Sequence, residues 1–227
     1  MARVNGSVIG NLSGRLGNLA ARTVNGTTIL AARPSSYSPS QAPAVLEIRQ
    51  KFVVTANLSK QIASFPDIND IWKKSVAGSL SGYNAIFQAN NKYVAVDKPT
   101  DNNIITPEGF GLNITSVALQ ANAVDIELAA LNAIANFSVD ETQLSAFSVV
   151  CFINPINVSD APYKIIALTK QVNGYDFAAP QSISLALDPA QTNTAAKYQH
   201  NIIFVAVATK TADGKLVQYS TTYAKSN

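Results

Sequence analysis

The sequence predicts an α+β chain in three parts: an extended N-terminal arm with a β-hairpin over 1–39, a small helical unit over 40–95 and an antiparallel β-sandwich over 105–227. Three observations carry this. The first sixty residues hold Arg3, Arg15, Arg22, Arg33, Arg49, Lys51 and Lys60 against a single acid, Glu47, so that segment is +6 while the rest, with ten basic and thirteen acidic residues, is −3. Helical periodicity is confined to residues 43–92. Beyond residue 105, short β-branched and aromatic runs alternate with clusters of Asn, Asp, Gly and Pro.

The arm opens on Gly6, Gly10, Gly14 and Gly17, a spacing that calls for tight turns and close backbone packing. It is neither a phosphate loop, since no Gly-Lys-Ser/Thr follows, nor a membrane-helix motif, since Asn11, Ser13 and Arg15 interrupt it. Residues 19–33 form two extended stretches around Asn25-Gly26, the pair that suits a two-residue hairpin turn. An isolated hairpin is marginal in water, so the arm needs a docking surface.

Pro34, Pro39 and Pro43 end the extended structure. Val45, Ile48, Phe52, Ala56 and Ile62 then share a helical face, with Ser40 as cap and Pro43 in the first turn, predicting a helix over 43–64. Pro66 breaks it, Asp67 starts a short helix through Ile68, Ile71 and Trp72, Gly78 interrupts, and 79–92 resumes with Leu80, Tyr83, Ile86 and Phe87. Strands are expected at 114–119, 124–128, 147–153, 163–169, 183–187, 202–208 and 216–223, the last two joined by the turn Ala212-Asp213-Gly214-Lys215. Residues 129–135 read as helix or strand. Seven strands so spaced predict an immunoglobulin-like sandwich.

Composition narrows the chemistry. At 227 residues, 47% apolar and 14% charged, the chain is globular with a weakly charged surface, as expected where surface is covered in an assembly. No apolar run spans a bilayer, and the first residues lack a signal-peptide core, so synthesis and folding in a cytoplasm without membrane contact are expected. The lone Cys151 falls in an apolar run and reads as a buried, inert thiol, and scattered Asn-x-Ser/Thr triplets read as chance. His200 has no partner cluster for metal or base chemistry. Asp140-Glu141 reads as a turn or helix start, and Asp97, Asp101 and Glu108 as solvated loop charges. The expectation is therefore a non-enzyme with no catalytic residue, metal or cofactor.

The order Asn5-Gly6, then Gly10-Asn11-Leu12-Ser13-Gly14-Arg15-Leu16-Gly17-Asn18, Val24-Asn25-Gly26-Thr27, Ala32-Arg33-Pro34 and Arg49-Gln50-Lys51-Phe52 resembles a family of chains from Bacteroidota genomes and their phages. Members begin with a G-x-x-S-G-K/R-x-G-N run, pass through an N-G hairpin to R-x-P and enter a helix carrying R-x-x-F. Residues 81–91 resemble that family's second helix, and the likeness covers about residues 5–92. The resemblance implies a virion structural protein of a crAss-like or related phage and transfers no catalytic residue.

The expected function is thus a head–tail connector or neck-ring component, made in the host cytoplasm and resident in the virion. It would be a homo-oligomer touching other virion proteins, with Arg3, Arg15, Arg22 and Arg33 as assembly contacts and non-specific DNA contact open to the arm. A capsid decoration or tail protein is the alternative. A different class is a glycan-binding module presenting Tyr175, Phe177 or Trp72, which requires an exposed aromatic platform.

Overall fold

A computed structural model describes residues 2–4, 13–24, 26–33, 36, 38–76 and 80–227, with the side chains of 2–4 and 16 left aside. Gly6, Gly10, Asn25, Pro34 and Gly78, on which parts of the sequence reading rest, lie outside the described residues. The architecture is mixed α+β with antiparallel sheets, and the chain divides into two compact units, Met1–Val45 and Leu46–Asn227.

The first unit is a four-stranded sheet where a lone hairpin was expected. Strands β1 (Ala2–Val4), β2 (Gly14–Leu16), β3 (Leu19–Val24) and β4 (Thr27–Ala32) are ordered β1-β4-β3-β2. Val24 pairs with Thr27, leaving a two-residue turn in which Gly26 has φ +76°, the positive value that Asn-Gly predicted. Leu16 pairs with Leu19 across a second such turn, where Gly17 has φ +59°. Gly17 therefore turns a hairpin that periodicity could not show.

In the second unit, helices α1 (Pro43–Ala63, its first turn in the preceding unit), α2 (Pro66–Ser75) and α3 (Gly82–Asn90) stand where helices are expected, but α3 is shorter than 79–92 and α1 buries Val54, Leu58 and Ile62 and leaves Ile48 and Phe52 of its expected face exposed. Pro66 both ends α1 and opens α2 at a first-turn position, where its missing N–H costs nothing. The Ser81 hydroxyl accepts from the Asn84 N–H at 3.3 Å and caps α3. The strands are β5 (Ile114–Leu119), β6 (Ala123–Leu128), β7 (Glu141–Pro155), β8 (Tyr163–Asn173), β9 (Gln181–Ala186), β10 (Tyr198–Thr211), β11 (Leu216–Tyr219) and β12 (Tyr223–Ser226). A 3-10 turn occupies Leu131–Ala133. A short helix, α4 (Pro189–Ala195), absent from the sequence reading, is set by a capping box in which Asp188 and Gln191 each accept the other's backbone N–H.

One sheet runs β11-β10-β7-β8, with β12 also on β10, and the other runs β5-β6-β9. Strands β7 and β10 lie at the centre of three layers. Phe147, Val149, Cys151, Phe204 and Ala206 meet Leu58, Ile62, Ile68, Trp72 and Ile86 of the helices. Their alternate neighbours Ala146, Val150, Phe152, Ile203, Val205 and Val207 meet Val117, Ile126, Leu128, Ile183 and Leu185 of the smaller sheet. Both faces of β7 and β10 are covered, so their sequences read as continuous apolar runs without alternation. The helical and strand regions, expected as separate domains, share a core. The Lys210–Asp67 ion pair at 2.6 Å ties α2 to β10, and Trp72 Nε1 donates to the Ile105 carbonyl at 2.9 Å.

Candidate assembly interface

The register of the N-terminal sheet sorts its residues into two faces. Leu19, Ala21, Thr23, Thr28, Leu30 and Ala32 alternate onto one face, where Ala21 and Thr28 are buried. The opposite face carries Ala20, Arg22, Ile29 and Ala31, with Arg15 opposite Ala20. Arg3 holds the register position opposite Ile29, which is itself opposite Arg22, while the Arg3 side chain is outside the described residues. Arg33 follows β4 with its N–H on the Asn18 carbonyl at 2.8 Å, and alternation puts it in phase with Ile29 and Ala31. The four arginines singled out in the sequence thus occupy positions of one phase. Arg15, Arg22 and Arg33 are exposed, and Arg15 Nε reaches the Gly17 carbonyl at 3.4 Å.

The second unit has an apolar surface of its own. The buried residues of α1 begin at Val54, while Leu46, Ile48, Phe52 and Val53 in its first three turns are exposed, Ile48 at 67% and Phe52 at 58%. Phe52 stacks obliquely on Phe87 of α3 at 4.9 Å between centroids. Beside it, Val53 and Asn57 line a groove of about 460 Å³ against Pro162 and Tyr163, where the Asn57 amide donates to the Tyr163 hydroxyl at 2.8 Å. Exposed aliphatic and aromatic side chains clustered in this way form a candidate interaction surface.

Cys151 is fully buried, and burial pushes its thiol far above the ordinary range, which keeps it protonated and unreactive. His200 is exposed on β10, paired with Ile153. Asp140 lies in a turn, as expected, which the Glu141 N–H closes on the Ser138 carbonyl at 3.1 Å, and Glu141 itself is buried at the head of β7. Its carboxylate accepts from the Ser138 N–H at 2.8 Å, the Gln218 amide at 3.1 Å and the Thr209 hydroxyl, joining β7, β10 and β11. Asp97, Asp101 and Glu108 are exposed, and among the described residues no group of three or more His, Cys, Asp or Glu is placed to hold a metal. No described helix is long and apolar enough to cross a membrane.

The three aromatic residues singled out for a glycan platform are not exposed together. Trp72 and Tyr175 belong to the two cores. Phe177 is half-buried, stacked on Phe137 at 4.4 Å and edge-on to Tyr175. The Tyr175 hydroxyl is buried without a hydrogen-bond partner, and burial, reinforced by Asp176, pushes its pKa up to about 12. No family model matches the chain, and no curated protein matches it.

Proposed function

We propose that the chain is a non-catalytic structural subunit of a phage particle, self-associating in a head–tail connector or neck ring, with its N-terminal sheet as the fastener between copies. The observation that carries this is the separate unit Met1–Val45, whose sheet holds Arg15, Arg22 and Arg33 exposed and in one phase. A four-stranded sheet of this size has one face to cover and a cationic face to neutralise, and the 14 acids of the chain, all of them in Leu46–Asn227, supply the complement. Exposed Ile48 and Phe52 add a second surface that association would bury. A capsid decoration or tail protein would use the same fastener, and the arginines would bind phosphates without reading sequence.

The strand order supports an immunoglobulin-like body. The first, second and fifth strands of the body form one sheet, and the fourth, third, sixth and seventh the other, which is how such sandwiches divide strands A, B, E from C′, C, F, G. Burial of Trp72 and Tyr175 weighs against a glycan module built on those two rings. Deleting residues 1–39 is the test: the truncated chain keeps its fold and loses its multimeric mass, whereas a truncated chain that still assembles sinks the fastener.

A further inference from the structure

The outer face of the β5-β6-β9 sheet is complementary to the arginine face of the N-terminal sheet in charge and similar to it in spacing. Val124, Ile126 and Leu128 of β6 point into the core, so Asp125 and Glu127 point outward. The register sets Asp125 between Ala118 and Ser184, and Glu127 between Ser116 and Ser182. Each carboxylate therefore stands at the centre of a row of short side chains. Neither takes part in the ion pairs found among the described residues, Lys197–Asp160 and Lys210–Asp67.

The edges of this sheet are closed to strand addition. Lys225 Nζ donates to the Val117 carbonyl on β5 at 2.8 Å, and Lys170 Nζ to the Ser184 carbonyl on β9 at 3.1 Å. Lysines on edge carbonyls block strand pairing, which leaves the face as the route of association.

On the N-terminal sheet, Ala20 and Ala31 lie beside Arg15 and Arg22, so the face is low between those two charges, while Ile29 stands on the other side of Arg22. Arg15 lies one strand across and two residues along from Arg22, about 8 Å away, and Asp125 and Glu127, two residues apart on one strand, are about 7 Å apart. Sheets stack face to face at about 10 Å, a gap that an arginine side chain spans to reach a carboxylate with both of its parallel N–H donors.

We infer that the N-terminal sheet of one copy docks on the outer face of the β5-β6-β9 sheet of a second copy, Arg15 and Arg22 pairing with Asp125 and Glu127. This rests on the assembly reading above and names its surface. The two patches differ, so the contact is head-to-tail and generates a closed ring or an open filament.

The test exploits that asymmetry. A chain carrying Arg15→Glu and Arg22→Glu has two negative faces, and a chain carrying Asp125→Arg and Glu127→Arg has two positive faces. Light scattering at low salt should find each alone as a monomer and their equimolar mixture restored to the wild-type mass. The milder pair Asp125→Asn and Glu127→Gln should raise the dissociation constant about tenfold, an effect that fades at high salt. A wild-type chain that is itself monomeric overturns both the assembly reading and this one. A multimeric wild type whose Asp125→Arg, Glu127→Arg variant also assembles alone, or whose two reversed chains fail to assemble together, overturns this surface only.

Discussion

Truncating Phe147 to alanine on β7 tests whether helices and sheet form one cooperative core. Phe147 is 2% exposed, lies among the helix residues and meets Phe65, just before α2, at 5.2 Å between ring centroids. Removing a buried phenylalanine from such a site costs about 3–5 kcal/mol, the upper half applying where the surroundings cannot collapse. Here Phe65 packs from one side and the β-sheet backbone fixes the other, so about 4 kcal/mol is expected. In a domain of this size that lowers the melting temperature by about 8–16 °C. Trp72, the single tryptophan, sits in the helical layer and reports on it by fluorescence, while far-ultraviolet circular dichroism reports on the sheets. Both transitions in urea should shift together in Phe147→Ala. Adding Phe65→Ala should cost less than the sum of the singles by about 1 kcal/mol, the share of the aromatic pair. A Trp72 transition that stays in place while the sheet signal moves would refute the shared core.

Other perturbations probe individual contacts. Gly82→Ala at the start of α3 would drive a Cβ into the Asn69 backbone carbonyl and side chain, so a loss of about 1–3 kcal/mol is expected by chemical denaturation, and a neutral result would contradict the close α2–α3 approach. Cys151 should resist thiol reagents in the native state and react only after unfolding, because its thiol is buried and held protonated; fast native labelling would place it elsewhere. Tyr175 has its folded pKa pushed up to about 12 against 10.0 for the free group, so the unfolded chain ionises first and stability falls as pH rises between those values. Tyr175→Phe should flatten that fall and, since the hydroxyl has no partner, leave neutral-pH stability unchanged or up to about 1 kcal/mol higher; a steep loss at neutral pH would reveal a bond to that oxygen.

Much of the element map was legible because its signals are local. Residues 114–119 are β5, the helix expected over 43–64 is α1 at Pro43–Ala63, and the turn at 212–215 joins β10 to β11. Strands β7 and β10 run well past the expected 147–153 and 202–208, because Gln143, Ser145, Thr209 and Lys210 extend the ladder through backbone pairing that polar side chains do not announce. The sheet at the N-terminus was hidden for a different reason. Its outer strands β1 and β2 are three residues each, too short for period-two alternation, and Gly17, whose positive φ turns β2 into β3, signals a turn without the strands that flank it. The arginines were legible as a charge excess, while their common phase required the register. Asp125 and Glu127 passed unnoticed because two carboxylates in an alternating strand are the ordinary signature of a solvated face. They gain meaning from the rows of serine and alanine that other strands place beside them.

The central claim is that the N-terminal sheet joins one copy to the next, and the mass of the intact chain in solution tests it most directly. Light scattering at low and high salt, with and without nucleic acid, should give a discrete multimer at low salt that shrinks as salt screens the arginines and does not require nucleic acid. A monomer under every condition would contradict the account, and a mass that rises only with nucleic acid would transfer the arginine face from neighbouring subunits to phosphates.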